Sequence, residues 1–254
     1  MLKKIKRIVK KILYWGNTYT CPLCNNHFRA MRYLGLNLPV IKELQIVGAG
    51  KRRASCPACF SSDRSRMIYL YLRDDMNLPD SQKKWNILHI APEHDLYTAI
   101  RLMLKNNCEQ YICGDKFEAN IYYPDYIRHM DITGIGYDDN TFDLIICNHV
   151  LEHVSDDRKA MSELFRVLRP GGTAILQVPI SKTLEQTFED PLVTDPSERE
   201  RLFGQWDHCR VYGQDFGRRL EEEGFTFSPV SICHREKYAN FALNLEEELF
   251  VARK

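Results

Sequence analysis

The sequence predicts an α/β protein: a doubly wound, mostly parallel sheet preceded by a small N-terminal segment with paired cysteines. From Trp85 onward, short apolar runs alternate with amphipathic stretches, which is typical of parallel strands joined by helices that cover both faces of a sheet. Before that point, four cysteines form two Cys-Pro-x-Cys pairs. The chain of 254 residues is long enough to bury one core of this kind beside a small annex.

Charge divides the chain unevenly. Residues 1–73 carry 15 Lys and Arg against two acidic residues, a net charge of +13, whereas residues 74–254 carry 20 against 32, a net charge of −12. A basic front end attracts an anionic partner, such as a nucleic acid, an acidic lipid surface or a phosphorylated substrate. No apolar run approaches the roughly 18 residues of a membrane span, and no secretory signal is recognisable. We therefore expect a cytoplasmic protein.

Residues 1–18 are predicted to form a basic amphipathic helix. Apolar side chains recur at helical spacing between Leu2 and Trp15, with six lysines and arginines between them. Such a helix either lies on an anionic membrane, or docks on its own protein and leaves its lysines in solvent. The first alternative predicts peripheral contact with the inner face of the membrane through residues 1–15.

The segment 19–75 is predicted to bind zinc. Cys21-Pro-Leu-Cys24 and Cys56-Pro-Ala-Cys59 supply four thiolates, and a tight turn within each pair lets both sulfurs face one tetrahedral ion. The alternative is two pairs without metal. A site closed by four sulfurs has no open position, so this Zn²⁺ should stabilise the fold and not perform chemistry. The remaining cysteines are interpreted as mostly buried, reduced thiols: Cys108, Cys113, Cys147, Cys209 and Cys233.

Basic side chains gather around the second cysteine pair. They are Lys51, Arg52, Arg53, Arg64 and Arg66. They form either a clamp on a phosphate-bearing substrate or a solvated face, and the charge pattern alone does not choose between the two.

Residues 76–254 carry the alternating strands and helices. Strands are predicted at Trp85–Ile90, Tyr111–Cys113, Ile127–Met130, Phe142–Asn148 and Thr173–Val178, and later near Phe225–Ile232 and Glu248–Ala252. Helices are predicted at Tyr97–Lys105, Asp156–Leu168 and Gln214–Glu223.

Several short motifs at the ends of these elements occur in a characteristic order. They are Ile112-Cys113-Gly114-Asp115, Asp131-Ile132, the run Phe142 to Asn148 with Val150-Leu151-Glu152-His153-Val154, and Leu168-Arg169-Pro170-Gly171-Gly172. In order and spacing, residues 85–180 resemble the class I S-adenosylmethionine-dependent methyltransferases, particularly the type 11 group. The resemblance implies a Rossmann-like methyltransferase sheet, an enzyme, and S-adenosyl-L-methionine as cofactor.

The resemblance also implies where that cofactor binds. Asp115, at a strand end, takes the position that accepts hydrogen bonds from the ribose hydroxyls. Asp131 and the backbone N–H of Ile132 take the adenine positions, and Asn148 ends the next strand at the same edge. For either aspartate, the alternative is a helix cap or a surface acid.

The loop after the first sheet strand departs from the family pattern. The family usually has an acidic, glycine-rich turn there, whereas this chain has Ala91-Pro92-Glu93. Glycines permit close backbone approach to the methionine part of the cofactor, and Ala91 with Pro92 restricts that freedom. Ala91 is still small, and Glu93 could contact the cofactor's ammonium group. The chain resembles a subgroup that combines Cys-Pro-x-Cys pairs with an Ala-Pro-Glu loop.

The acceptor site is predicted at the segment 203–213, which places aromatic, acidic and basic side chains in a loop. His208 is the first candidate for a general base and His149 the second, although His149 and His153 are also suited to packing roles. Asp207 and Arg210 are candidates for positioning the acceptor.

Three functions remain open. The first is O- or N-methylation of a small-molecule, phosphorylated, sugar or lipid-linked acceptor. The second is methylation of RNA, because a zinc segment ahead of this fold resembles the ribosomal RNA guanine methyltransferases. Against RNA, the basic residues lack interleaved exposed aromatics for base stacking. The third is a catalytically silent scaffold that has kept the fold.

Overall fold

The computed structural model describes residues 13–105, 107–118 and 121–254. Its strands are β1 (Trp15–Thr20), β2 (His27–Phe28), β3 (Arg32–Leu34), β4 (Ile46–Val47), β5 (Arg52–Ser55), β6 (Trp85–Ile90), β7 (Cys108–Asp115), β8 (Ile127–His129), β9 (Phe142–Asn148), β10 (Leu168–Gln177), β11 (Ile180–Ser181), β12 (Phe188–Glu189), β13 (Arg210–Val211), β14 (Thr226–Val230) and β15 (Leu249–Arg253). Its α-helices are α1 (Pro39–Glu43), α2 (Asp63–Asp74), α3 (His94–Leu104), α4 (Asp157–Val167), α5 (Pro196–Phe203) and α6 (Phe216–Glu222). Single turns of 3-10 helix lie at Leu78–Asp80, Leu151–His153 and Glu236–Tyr238.

A seven-stranded sheet with the order β8-β7-β6-β9-β10-β15-β14 forms the centre of the described chain. Five neighbouring strands are parallel, namely β8, β7, β6, β9 and β10. In contrast, β15 runs antiparallel to both β10 and β14. The chain moves outward from β6 to β8 and then crosses back to β9, so the direction of winding changes between β6 and β9. Ligands of such sheets bind at this switch point, beyond the carboxyl ends of the strands. The predicted doubly wound, mostly parallel α/β sheet is confirmed.

Apolar side chains cover both faces of the sheet. On one face, Leu164 of α4 packs in the same buried cluster as Ile145 of β9. On the other face, Ile68 of α2 packs in the same cluster as Ile146. Every residue of β9 is buried, because neighbouring side chains point to opposite, equally covered faces. This explains why the predicted and observed bounds of β9 agree.

α2 belongs to the core of the sheet. It begins after Ser62, whose hydroxyl accepts a hydrogen bond from the Ser65 N–H at 2.9 Å and so caps the helix. Leu70 and Leu72 are fully buried in the cluster on the α2 side of the sheet. The domain boundary predicted after residue 75 stays a prediction. It assigns α2 to the N-terminal segment, whereas α2 packs on the sheet.

The N-terminal helix requires a correction. β1 begins at Trp15, so the helix predicted for residues 1–18 does not continue to residue 18. Residues 1–12, with most of the predicted amphipathic pattern and its membrane contact, lie outside the described residues. Within the described ranges, no helix combines the length and the apolar character needed to cross a membrane.

Two strands are longer than predicted. β7 begins at Cys108. Its start was not predicted because Glu109 and Gln110 are polar and exposed and so interrupt the apolar pattern of a buried strand. β10 already pairs with β9 at Leu168, and its register shifts before pairing resumes at Thr173. The prolyl-glycyl segment that stops α4 therefore forms an irregularity inside the strand, with Gly171 at a φ of +75°.

The N-terminal segment is joined to the sheet domain by short contacts between residues far apart in sequence. β4 pairs with β11, so that Ile46 lies opposite Ser181. The Ser181 hydroxyl donates a hydrogen bond to the Leu44 carbonyl at 2.6 Å. These contacts hold the segment over the carboxyl ends of β9 and β10.

Candidate active site and metal centre

The four cysteines predicted to bind zinc come together. Cys21 Sγ lies 3.6 Å from Cys59 Sγ, and Cys24 Sγ lies 3.8 Å from Cys56 Sγ. All four sulfurs lie within 4.8 Å of one another. A tetrahedral zinc ion with bonds of about 2.3 Å separates its sulfur ligands by roughly 3.8 Å. The arrangement therefore has the size and donor set of a closed zinc site.

Both cysteine pairs adopt the same turn. The Cys21 carbonyl accepts a hydrogen bond from the Asn25 N–H at 2.8 Å, and the Cys56 carbonyl accepts one from the Phe60 N–H at 3.1 Å. Asn25 and Phe60 have φ values of +52° and +71°, a left-handed conformation that costs a non-glycine residue about 1–2 kcal/mol. The repetition of this turn explains how each pair directs two sulfurs to one point.

The basic cluster around the second pair divides into different roles. Arg66 is fully buried and donates to three carbonyls, those of Ser61, Phe241 and Ala242, at 2.6–2.8 Å. Arg52 donates to both carboxylate oxygens of Asp63 at 2.6 and 2.8 Å. Neither is the free phosphate clamp that the sequence left open. The Arg64 Nε is buried without a hydrogen-bond partner among the described residues.

The predicted cofactor residues share one edge of the sheet. The Ala91 N–H donates to the Gly114 carbonyl at 2.8 Å, so the loop after β6 lies beside the end of β7. Ala91 has a φ of +45°, the backbone region that a glycine would adopt most readily. The loop thus makes a glycine-like turn without glycine.

Glu93 lies at the centre of a polar network. Asn148 Nδ2 donates to both of its carboxylate oxygens at 3.3 and 3.4 Å, His89 Nε2 lies 3.5 Å away, and Arg64 Nη2 lies 3.7 Å away. Burial alone would raise the pKa of Glu93, but the contact with His89 and the charge of Arg64 outweigh burial and lower that pKa to about 2. Asn148 is almost fully buried, and its Oδ1 has no hydrogen-bond partner in the described part of the chain.

The two predicted nucleoside contacts differ in their surroundings. Asp115 forms no ion pair with any described residue, and burial raises the pKa of its carboxyl. Asp131 Oδ1 already accepts from the Thr133 N–H at 2.9 Å and from the Thr133 hydroxyl at 2.7 Å, within a turn that no helix follows directly. Ile132 is buried.

A cavity of about 360 Å³ lies next to this edge and is called here the histidine cavity. Its walls come from the N-terminal segment between Leu34 and Arg52, the turn after β9, and the segment between Phe203 and Val211. Gly48 lies so close to His149 that a methyl carbon at position 48 would stand 3.5 Å from His149 Nε2. The N-terminal segment is therefore one wall of the cavity.

Both predicted base candidates line this cavity. His149 Nδ1 lies 3.2 Å from Glu152 Oε1, and burial, together with the charge of Arg64, lowers the pKa of His149 to about 4. His208 is also buried, and its Nδ1 lies 3.1 Å from the Phe203 carbonyl oxygen. Burial lowers the pKa of His208 as well.

Arg210, which the sequence suggests as a positioning residue for the acceptor, lines the cavity, but its guanidinium is already hydrogen-bonded within the protein. Its guanidinium is buried and donates to Glu189 Oε2 at 2.8 Å and to the carbonyls of Leu151, Val154 and Ser155 at 2.5–2.9 Å. These bonds fix the turn after β9 to the strand β13. Asp207, the other positioning candidate, accepts a hydrogen bond from Gln205 at 2.8 Å and lies 3.1 Å from His153.

Two members of this cavity, Glu152 and His153, were not among the predicted site residues, although His153 was considered beside His149. The available signal was the spacing His149-x-x-Glu152-His153 directly after a fully buried strand, since one turn brings such residues together. Their partner His208 comes more than 50 residues later and could not be assigned from spacing.

Comparisons with known proteins agree with this architecture. Residues 99–176 match the profile of a family described as a methyltransferase domain. The ubiquinone/menaquinone biosynthesis C-methyltransferase of Idiomarina loihiensis is 39% identical over 62 residues, 23% of this chain and 25% of that protein. The demethylmenaquinone methyltransferase of Clavibacter sepedonicus is 40% identical over 48 residues, 19% and 20% of the two chains. The matches thus span about a quarter or less of these relatives.

A solved structure of similar fold covers more of the chain. The crystal structure of the 4+2 cyclase SpnF superposes with a TM-score of 0.50 and 14% identity over 87% of this chain and 99% of that one. This likeness concerns the fold alone. Residues 99–176 thus match a methyltransferase domain within the part of the chain where the sequence motifs occur, and this match begins after the cysteine pairs.

Proposed function

We propose that this protein is an S-adenosylmethionine-dependent methyltransferase that methylates a small acceptor held in the histidine cavity. The observation that carries the proposal is the position of Asn148 and Glu93. They lie at the switch point of a sheet whose matched segment is a methyltransferase domain. Asn148 Oδ1 is buried and accepts no hydrogen bond from a described residue, so a bound ligand with an N–H or O–H group would satisfy it.

The residues at this edge fit the methyl donor. Asp115 would hold the ribose hydroxyls, because its carboxylate is free of ion pairs among the described residues and charge-assisted hydrogen bonds to hydroxyls are strong. Asp131 Oδ2 and the Ile132 N–H would meet the adenine, and Glu93 with Asn148 would meet the ammonium end. When bound, the donor supplies an electrophilic methyl group on a sulfonium. The protein's main task is then to align the acceptor with it.

The cavity supports an anionic or hydroxylated acceptor. Arg64 lines it, and its Nε lacks a hydrogen-bond partner among the described residues. A guanidinium in this state suits a phosphate, which accepts several hydrogen bonds at once. A phosphorylated, sugar or lipid-linked acceptor methylated on oxygen or nitrogen therefore remains the proposal for the substrate.

Calorimetric titration of the donor into the zinc-loaded chain tests the proposal. We expect Asp115→Ala to weaken donor binding about 100-fold, because two charge-assisted hydrogen bonds of roughly 1.5 kcal/mol or more each are lost. Asp131→Ala should cost only about tenfold, the loss of one bond. Asp125→Ala, an exposed acid before β8, is the matched control. Absence of binding by the wild type at millimolar donor would favour a silent scaffold.

RNA methylation is a second candidate because of the surface around Tyr33. Arg53 and Lys51 lie over its exposed ring at 4.6 and 5.4 Å, and Arg32 lies over the exposed ring of Phe60 at 5.2 Å. Two exposed rings thus lie among the basic residues, which weakens the sequence-based objection to RNA. Such a surface can stack on bases and neutralise phosphates. RNA affinity that falls steeply with salt, and further in Tyr33→Ala, would favour this candidate.

A further inference from the structure

The floor of the histidine cavity groups three side chains that can bind a metal ion. One ligand atom from each of Glu152, His153 and His208 lies within 4.8 Å of the other two. The chain segments that carry Glu152 and His208 are hydrogen-bonded to each other, because the N–H of Cys209, the residue after His208, donates to the Glu152 carbonyl at 2.8 Å. The group is therefore assembled by the fold and does not depend on long, mobile side chains.

The surroundings of Glu152 point independently to a bound cation. Its side chain is inaccessible to solvent, and neither carboxylate oxygen accepts a hydrogen bond from any described residue. The nearest ring nitrogen, His149 Nδ1, lies 3.2 Å from Oε1. A buried carboxylate without hydrogen bonds is costly, and it is normally paired with a cation or bound to a metal.

Each histidine is oriented by a partner outside the group. His153 Nδ1 lies 3.1 Å from Asp207 Oδ2, and His208 Nδ1 lies 3.1 Å from the Phe203 carbonyl oxygen. When Nδ1 donates its proton to such an acceptor, Nε2 is left with its lone pair free for coordination. Carboxylates and carbonyls behind the ring are typical of histidines that bind metals.

We propose that Glu152, His153 and His208 bind a divalent transition-metal ion whose remaining coordination positions open into the histidine cavity. Two imidazoles and one carboxylate suit Zn²⁺, Fe²⁺, Co²⁺ or Mn²⁺, whereas Mg²⁺ and Ca²⁺ prefer oxygen ligands alone. Three protein ligands leave positions for a substrate, unlike the closed site of four cysteines. His208 is then a ligand and not the general base expected from the sequence.

The consequence for chemistry rests on the proposed function. An acceptor hydroxyl bound at the open position would lose its proton to solvent more readily, because a metal ion lowers the pKa of a coordinated oxygen. The oxygen lone pair then forms the bond to the methyl carbon, and the electron pair of the carbon–sulfur bond returns to sulfur. The site therefore favours oxygen as the methylated atom.

Metal analysis after equilibrium dialysis of the full chain against Zn²⁺, and separately against Mn²⁺ with zinc retained at the cysteines, tests the site. We expect one ion more per wild-type chain than in Glu152→Gln or His208→Ala. Asp207→Asn should weaken binding of this ion about 10–100-fold, since it removes the partner of a ligand. His234→Ala, at an exposed histidine, should retain both ions.

Equal metal content in wild type, Glu152→Gln and His208→Ala would overturn the proposal. Near-ultraviolet circular dichroism and donor titration of each variant separate loss of the site from loss of the fold. The two proposals fail separately: a second ion without donor binding would remove the methyltransferase function and leave the metal site. Donor binding without the ion would do the reverse.

Discussion

Gly35 lies so close to Gly50 that a methyl carbon at position 35 would stand 2.1 Å from the Gly50 carbonyl oxygen. Both glycines have positive φ values, +88° and +81°, and both line the histidine cavity. The same carbonyl lies 3.3 Å from Arg52 Nη1, and Arg52 is paired with Asp63 at the start of α2. Through Arg52, the Gly50 carbonyl is therefore linked to Asp63, which connects this wall of the cavity to α2 and the sheet domain.

Gly35→Ala should destabilise the protein. The added carbon meets backbone, which cannot rotate away, and the left-handed conformation adds about 1–2 kcal/mol of its own. We expect a loss of at least about 2 kcal/mol in the free energy of unfolding in urea. Gly134→Ala is the control, because nothing lies within 4 Å of its added carbon. A loss at position 35 no larger than at position 134 would contradict the close approach.

Replacing one cysteine of the predicted zinc site should abolish zinc binding there and unfold the segment around it. Cys56→Ser, made together with Glu152→Gln so that only cysteine-bound metal is counted, should lower the zinc content from one per chain to none. Because metal binding supplies folding free energy to such segments, limited proteolysis should then cut between residues 19 and 61. Cys108→Ser, a partly buried thiol outside the site, should keep its zinc. Retention of zinc by Cys56→Ser would argue against the four-sulfur site.

Acid should weaken the wild type through Glu93. The folded pKa is about 2 and the ordinary value is 4.5, so the ionised carboxylate stabilises the fold above pH 4.5, and this contribution is lost as the pH falls toward 2. Between pH 6.5 and pH 3.5 the wild type should lose about 1 kcal/mol more than Glu93→Gln. Urea unfolding of both proteins without the methyl donor measures this difference in the free energy of unfolding. Any loss of zinc at low pH affects both proteins alike and therefore cancels in the comparison. Parallel loss in both proteins would mean that Glu93 is not stabilised by His89 and Arg64.

Local patterns were sufficient for two central strands of the sheet. Trp85–Ile90 and Phe142–Asn148 have the predicted bounds, because continuous apolar runs are the signature of parallel strands buried on both faces. The cysteine pairs were similarly readable, since ligand type and spacing are set within a single turn. Strands and metal ligands whose patterns lie within a few neighbouring residues can therefore be predicted from the sequence alone.

The rest depends on contacts between residues far apart in sequence. Nothing local marks Ile46 as the partner of Ser181, yet this pairing makes the N-terminal segment a wall of the cavity. The role of Arg210 was likewise hidden, because its carbonyl partners are more than 50 residues earlier. His153 had the spacing of a site residue, but its meaning emerged only with Asp207 and His208 beside it.

Arg66 has a consequence for the synthesis of the chain. Its guanidinium joins the Ser61 carbonyl, in the cysteine segment, to the carbonyls of Phe241 and Ala242, which leave the ribosome about 175 residues later. At 5–20 residues per second, this delay is roughly 10–35 s. Throughout that interval the N-terminal segment can fold, but the guanidinium of Arg66 lacks two of its three carbonyl acceptors. Nascent chains should therefore hold zinc well before the histidine cavity takes its final shape.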